Sequence, residues 1–140
     1  MEKLNIHIKV KAPVKAAWEF YTNPESIQVW NQASSDWCCP FAENDLRVGG
    51  KFNHRMESKD GKFGFDFNGE YTTIIKYKSI AYNLSDGREV IVDFIPNKSD
   101  TETAIFVNFD PEKVNPIEFQ KEGWQAILNS FKFHLEKSHK

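Results

Sequence analysis

The sequence contains little cysteine, only the adjacent pair Cys38 and Cys39 in 140 residues. Two neighbouring cysteines cannot build a disulfide framework, and a bridge between them would be strained. Because adjacent side chains on a strand point to opposite faces, the two thiols are also poorly placed to ligate one ion. We therefore expect a reducing compartment, no disulfide and no metal.

Long apolar runs and charge of one sign are also missing. The 18 Lys and Arg residues nearly balance the 20 Asp and Glu residues, whereas nucleic-acid-binding proteins usually carry a basic patch. No apolar stretch approaches the roughly 20 residues of a membrane span, and none follows a basic N-terminal segment. These absences predict a cytoplasmic protein with neither nucleic acid nor a membrane span among its interactions.

Signature motifs of catalysis are absent as well. The sequence contains no phosphate-binding loop, dinucleotide glycine motif, HExxH, GxSxG or paired-carboxylate signature. We predict no cofactor, no metal ligand and no catalytic residue beyond one candidate, His54, so an enzymatic role is open but not favoured. The length of 140 residues predicts a single domain over 1–140.

Aromatic rings are plentiful: 12 Phe, 4 Tyr and 4 Trp, enough to fill a core or line a pocket. Alternating apolar residues predict a first strand over 4–10. Pro13 is expected to open a helix through Tyr21, and Asn23 to cap a second short helix over 24–30. Further strands are predicted over 34–39, 51–58, 63–77, 80–85, 88–95 and 101–109.

Short turns join these strands, so we expect an antiparallel meander. Gly69, inside the longest strand, indicates a bulge, a bend or a close backbone approach. A long helix from Pro116 to about Lys137 is expected to cover the curved sheet, with Gly123 letting it approach the sheet closely. His139 follows in a solvated tail. The inward arc of the helix is predicted to contain Ile117, Trp124, Ile127, Leu128, Phe131 and Leu135.

Strand phase places His54 on the inward face of its strand, between Phe52 and Met56. Histidine titrates near neutral pH, so His54 can be a polar anchor or an acid/base inside a ligand cavity. It can also be a core histidine satisfied by one hydrogen bond, for example to a tyrosine hydroxyl, and the sequence favours this interpretation. Asp66, out of phase with the inward residues, is expected to pair with Arg88 at the surface.

Stripes of large side chains, beginning with Phe63 to Tyr71, follow the inward faces of neighbouring strands. They can form a plain core or hold helix and sheet apart around a cavity. Trp30 and Trp37 flank the loop after the second short helix and can close over a ligand or cap the end of the core. The ligand-binding residues predicted for a cavity are Trp30, Trp37, Phe52, His54, Phe65, Phe67, Tyr71, Tyr82, Val92, Phe94, Trp124, Leu128 and Phe131.

Six motifs in order extend over essentially the whole chain. They are KAPVKAAWEFYTNPESIQVWN at 11–31, ENDLRVGGKF at 43–52, FGFDFNGEY at 63–71, DGR at 86–88, FDPE at 109–112 and GWQAILNSF at 123–131. Together they resemble the activator of heat-shock protein 90 ATPase homologue family, in the START-related SRPBCC superfamily. The resemblance implies the α+β helix-grip fold: a seven-stranded curved antiparallel sheet around a long C-terminal helix, two short helices between strands one and two, and a cavity.

The inward rings and the resemblance together favour binding of a small apolar or aromatic molecule in that cavity. One alternative is a co-chaperone or stress-related interaction module. It would contact a chaperone or a second copy through Phe119, Ala126 and Phe133, which share an arc of the last helix away from its core face. A second alternative is an enzyme that resembles the superfamily's cyclases, with His54 as acid/base.

Overall fold

The computed structural model describes residues 2–138, so His139 lies outside the described residues. Its helices and strands follow the predicted order, with several bounds shifted by a few residues. They are β1 (Leu4–Val10), α1 (Val14–Thr22), α2 (Pro24–Trp30), β2 (Trp37–Asn44), β3 (Lys51–Ser58), β4 (Gly64–Ile75), β5 (Ser79–Leu84), β6 (Glu89–Pro96), β7 (Thr103–Phe109) and α3 (Ile117–Ser138).

The strands form one antiparallel sheet in the spatial order β1-β7-β6-β5-β4-β3-β2. Strands β2 to β7 pair as a meander because short turns connect them, and β1 joins the sheet beside β7. The sheet curls around α3. This arrangement confirms the predicted α+β helix-grip fold.

The two short helices cover one end of the sheet. Pro13 stands at the N-cap of α1, and the side chain of Asn23 accepts a hydrogen bond from the Glu25 amide at 2.9 Å, as predicted for the start of α2. Trp18 and Ile27 are buried beneath these helices. The strand–helix–helix beginning of the chain therefore closes the core at this end.

Strand β2 differs most from the prediction, because it covers Trp37–Asn44 instead of 34–39. Pro40, expected in a loop, lies inside the strand. Proline is tolerated here because β2 is an edge strand and its register with β3 shifts between Cys38 and Phe41. At the edge of the sheet, the amide hydrogen that proline lacks is not needed for a hydrogen bond to a neighbouring strand. Which strand lies at the edge is decided by the tertiary structure.

Strand β4 is shorter than predicted at both ends. Phe63 lies before its first residue and is 68% exposed, so it does not extend the inward stripe. Gly69 is a site of close backbone approach, as one of the alternatives held. A Cβ added there would lie 2.3 Å from the carbonyl oxygen of Asn83 and 3.1 Å from the ring of Phe52.

Helix α3 buries Leu128, Phe131 and Leu135 against the sheet, as predicted. The inward assignment of Ile117 is wrong, because this side chain is 40% exposed in the first turn. Gln120, a polar residue for which no inward position was predicted, is buried in the first turn of the helix. The expectation for Gly123 is also wrong: a Cβ there would meet no atom within 4 Å, so the helix stands away from the sheet at this point.

Candidate functional site

A cavity of about 350 Å³ lies between the first half of α3 and the sheet. Strands β3, β4 and β5 supply one wall through side chains that include Phe52, Phe67 and Tyr82, and α3 supplies the opposite wall through Trp124, Ile127 and Leu128. The end of α1 and the whole of α2 close one side. Gly123 also lines the cavity, and a Cβ there would meet no atom within 4 Å.

Most of the predicted ligand-binding residues are brought together around this cavity. Those that line the cavity are Trp30, Phe52, His54, Phe65, Phe67, Tyr71, Tyr82, Trp124 and Leu128. Four others lie elsewhere: Trp37, Val92, Phe94 and Phe131. The four residues outside the cavity lie at other positions along the helix and the strands. The sequence pattern thus indicated which side chains point inward better than it indicated which of them reach the cavity.

The four residues outside the cavity belong to a closely packed region or to the surface beside it. Phe131 and Val92 are fully buried. The Phe131 ring packs against Trp30 at a centroid distance of 5.3 Å, and Phe94 packs against Trp18 at 5.2 Å. Side chains thus fill the space under the second half of α3, whereas the cavity lies under its first half.

Two indoles are held in place by specific contacts. Trp124 stacks on Phe109 of β7 with centroids 4.1 Å apart and meets Phe67 edge-on at 6.0 Å. The Trp30 indole nitrogen donates a hydrogen bond to the Phe20 carbonyl oxygen at 2.8 Å, and the side chain is buried. Trp30 is therefore a fixed part of the wall, which favours the capping interpretation over the gate. Trp37, half-buried, packs against Phe65 at 6.2 Å.

His54 combines burial with an incomplete set of hydrogen bonds. The side-chain amide of Asn31 lies with Nδ2 at 3.2 Å from His54 Nδ1, while His54 Nε2 is buried and has no partner among the described residues. Burial lowers the pKa of His54 to about 4, so the ring is neutral near pH 7 and poorly suited to act as a general acid. The expected hydrogen bond is present, but it comes from an amide instead of a tyrosine.

Three tyrosines add uncharged hydroxyl groups to the cavity wall. The Tyr71 hydroxyl donates a hydrogen bond to Asn44 Oδ1, and Asn44 Nδ2 donates to the Thr22 carbonyl oxygen at 2.7 Å. Burial raises the pKa of Tyr21, Tyr71 and Tyr82, so all three phenols stay neutral. The cavity interior is mostly apolar, with a few neutral hydrogen-bonding groups.

The charged side chains in the described part of the cavity lining are Arg88 and Glu112. Arg88 Nε pairs with Asp86 at 2.8 Å, so the predicted Asp66–Arg88 pair is wrong, and Asp66 lies 3.7 Å from Arg55 instead. An Asp two residues before the Arg, in the same turn, reaches it more easily than one on another strand.

The rim loop before α3 is held by Gln120. Its Oε1 accepts the Glu112 amide hydrogen at 2.8 Å, and its Nε2 donates to the carbonyl oxygens of Glu112 at 3.0 Å and Asn115 at 2.8 Å. Gln120, Tyr21 and Asn31 also line the cavity and were not predicted from the sequence. Helical spacing could have found Tyr21, whereas no local pattern singles out the other two.

Comparison with known proteins connects this architecture to a family. The family model described as Activator of Hsp90 ATPase homolog 1-like protein matches residues 11–136. The chain belongs to this family. The match confirms the resemblance derived from the six motifs.

Solved structures agree with this assignment. An AHSA1-like protein from Aeromonas hydrophila is 36% identical, with a TM-score of 0.86 over 96% of this chain and 94% of that one. A protein from Cytophaga hutchinsonii is 41% identical, with a TM-score of 0.83 over 99% and 96%. The Aha1 dimer from Colwellia psychrerythraea is 15% identical, with a TM-score of 0.74 over both full chains, and shows the fold alone. No curated protein matches the chain.

The outer surface of this AHSA1-like chain includes the stripe Phe119, Ala126 and Phe133 on α3. Phe119 and Phe133 are exposed and Ala126 is half-buried, and Phe119 also reaches the cavity rim. Among residues 2–138, no helix combines the length and apolar character needed to cross a membrane. Within the same residues, His, Cys, Asp and Glu side chains form no cluster of three or more suited to a metal ion.

Proposed function

We propose that this AHSA1-like protein binds a small, mostly apolar or aromatic molecule in the cavity between α3 and the sheet. The supporting observation is the unfilled volume of about 350 Å³. Protein interiors are close-packed and contain few voids larger than a water molecule, whereas small-molecule pockets begin at roughly 300 Å³. A space of this size beside a fully packed region is therefore best explained by a ligand.

The cavity wall defines the kind of molecule that fits. Aromatic rings such as Phe52, Phe67 and Trp124 offer flat apolar surfaces, and the phenols and His54 offer neutral polar groups. Both Cys38 and Cys39 are free thiols, which agrees with a reducing location, so we place this binding activity in the cytoplasm.

Titration with N-phenyl-1-naphthylamine, a neutral fluorophore that brightens in apolar surroundings, tests the proposal. The wild-type protein is expected to give saturable fluorescence and a raised Tm, because a ligand that binds only the folded state stabilises it. Gly123→Leu, which places a side chain in the open space beside Gly123, is expected to weaken binding by at least about tenfold.

Gly123→Ala is the matched control, since it alters the same backbone position and fills little of the cavity. It is expected to bind the fluorophore nearly as tightly as wild type. If wild type shows no saturable binding to this fluorophore or to a panel of neutral lipids and aromatic metabolites, ligand binding in the cavity is wrong.

Self-association is a second candidate, favoured by the exposed Phe119 and Phe133 on one stripe of α3 and by the dimeric Aha1 of the same fold. Sedimentation equilibrium is expected to show a concentration-dependent dimer that Phe133→Ser weakens. A monomer at all concentrations would contradict it. The wider form of this candidate, a co-chaperone contact, predicts that the cognate Hsp90 is retained in a pull-down and that its ATPase rate changes.

A further inference from the structure

We propose that Nε2 of His54 is the polar anchor of the cavity and that it donates a hydrogen bond to an uncharged acceptor oxygen of the bound molecule. This inference rests on the proposed ligand-binding function and adds the chemical class of the ligand. The molecule would be neutral and largely apolar, with one carbonyl or ether oxygen directed at His54. Its polar end would lie against β3 and its apolar part against Trp124 and Leu128, which line the same cavity.

The contact with Asn31 determines which nitrogen of His54 carries the proton. Asn31 Nδ2 is an NH2 nitrogen, which donates hydrogen bonds and does not accept them, so with the amide in this orientation His54 Nδ1, 3.2 Å away, is the acceptor. A neutral imidazole carries one proton, which is then on Nε2. Asn31 thereby turns Nε2 into a hydrogen-bond donor.

The surroundings of His54 keep this donor from being satisfied by the protein. The ring lies 5.1 Å from Phe52 and 6.2 Å from Phe67, centroid to centroid, and neither neighbour offers an acceptor. Nε2 is buried and has no hydrogen-bond partner among residues 2–138. An unpaired buried N–H is costly, and each such group in a folded protein calls for an explanation. A ligand acceptor supplies one: His54 forms part of the cavity wall, and in this proposal its ring turns on binding so that the covered Nε2 reaches the cavity surface.

Asn31 is itself held in place, which makes the donor a permanent feature of the site. Its backbone amide donates to the Ile27 carbonyl oxygen at 3.0 Å, at the end of α2, and its side chain is buried. The pair therefore joins the C-terminus of α2 to the middle of β3, two elements that both line the cavity.

The charge of the wall argues against an anionic ligand. The described groups deep in the cavity, His54 and the three tyrosines, are all neutral near pH 7. The charged side chains of the lining are Glu112, which is itself an anion, and Arg88, which is already paired with Asp86. Moving a carboxylate from water into such surroundings is unfavourable, so carboxylates are expected to bind more weakly than neutral analogues.

A matched trio of probes tests the inference by isothermal titration calorimetry. In 2-acetylnaphthalene a carbonyl oxygen occupies the place of the methylene group of 2-isopropenylnaphthalene, and 2-naphthoate carries a carboxylate. Wild type is expected to bind the ketone about tenfold more tightly than the hydrocarbon and to bind the naphthoate most weakly. Equal binding of ketone and hydrocarbon would overturn the anchor and leave the proposed function intact, whereas binding of neither probe nor N-phenyl-1-naphthylamine would overturn both.

His54→Phe isolates the contribution of the ring nitrogen while keeping an aromatic side chain. It is expected to bind the hydrocarbon at least as well as wild type and to lose the tenfold preference for the ketone. His134→Phe, on a helix face outside the cavity lining, is the control and is expected to keep the preference. A preference that survives in His54→Phe would overturn the assignment.

A measurement on the wild-type protein does not depend on the variants. Long-range ¹H–¹⁵N NMR spectra distinguish the two neutral tautomers of histidine. The spectra are expected to show the Nε2–H tautomer at His54, with the Nε2 and Hε2 shifts changing when the ketone is added and changing less with the hydrocarbon. An Nδ1–H tautomer in the ligand-free protein would contradict the inference.

Discussion

The indole of Trp124 lies flat on the ring of Phe109, with centroids 4.1 Å apart and planes 9° from parallel. The contact links the first half of α3 to β7, which lies between the edge strand β1 and β6 in the sheet. Because Phe67 of β4 also contacts the same indole, Trp124 packs against two strands that are not neighbours in the sheet. This stacking holds the helix over the cavity without filling it.

The stacked pair is expected to contribute a coupling energy of about 1 kcal/mol, the usual value for aromatic pairs beyond their buried area. A double-mutant cycle with Trp124→Leu and Phe109→Leu, measured by urea unfolding, tests this. The control cycle pairs Trp124→Leu with Phe106→Leu. Phe106 stacks on His7 on the other face of β7, so its effects are expected to add within about 0.5 kcal/mol. Equal coupling in both cycles would contradict a specific stacking term.

Two glycines are expected to respond oppositely to alanine. Gly123→Ala should raise the free energy of unfolding by about 1 kcal/mol, since it improves helix propensity and its Cβ meets no atom within 4 Å. Gly69→Ala should lower that free energy by about 2 kcal/mol, because its Cβ would lie 2.3 Å from the Asn83 carbonyl oxygen. Urea unfolding of both variants checks the pair, and a stabilised Gly69→Ala would show that β4 and β5 can separate without cost.

The stability of the protein should fall as the pH drops below about 6.5, because of His54. Burial lowers its pKa from 6.5 in the unfolded chain to about 4 in the folded protein. Between these pH values the unfolded state binds more protons than the folded state. The stability that comes from keeping His54 neutral is therefore complete above the unfolded pKa and is lost as the pH falls towards 4. The loss amounts to about 3 kcal/mol.

Urea unfolding between pH 7 and pH 4.5 measures this dependence. His54→Phe is expected to remove most of the slope. His134→Gln is the control: the pKa of His134 is also lowered, but the group lies near the surface, so the slope should change little. An unchanged slope in His54→Phe would mean that other groups cause the acid destabilisation.

Gln120 should be more important for stability than a surface glutamine. Gln120→Leu leaves the Glu112 amide and two carbonyl oxygens without their partner, which is expected to cost about 2 kcal/mol. Hydrogen exchange should also become faster at 112–115. Gln125→Leu is the control: its hydrogen bonds to the His7 carbonyl oxygen and to Asn129 are exposed to solvent, so it is expected to change stability by no more than about 0.5 kcal/mol. Similar losses in the two variants would mean that the loop is held by other contacts.

Much of the fold could be predicted from local patterns. The alternation in β3 placed Phe52, His54 and Met56 on the inward face, and all three are buried there. The cap at Asn23 was predicted from one residue and its neighbours. Strand β2 was predicted less well, because whether Pro40 fits depends on the position of the strand in the sheet.

For the candidate site, the sequence predicted which side chains point inward but not which of them border the cavity. Phe94 and Phe131 point inward as expected, yet they meet other rings, Trp18 and Trp30, and leave no space. Residues nearer the N-terminus of α3 face the cavity. Whether an inward side chain meets another ring or the cavity depends on how far the helix lies from the sheet at that point. Sequence periodicity does not predict this distance.

By itself, the sequence determined the order of helices and strands, the inward face of strands such as β3, and the family, since these depend on spacing and motifs along the chain. Only the tertiary structure decided that a cavity lies under the first half of α3 and that Asn31, 23 residues away in sequence, leaves His54 with a free donor. Such contacts depend on how separate elements pack against each other. Local periodicity directs side chains to a face, but distances across the core arise from the packing of all the elements together.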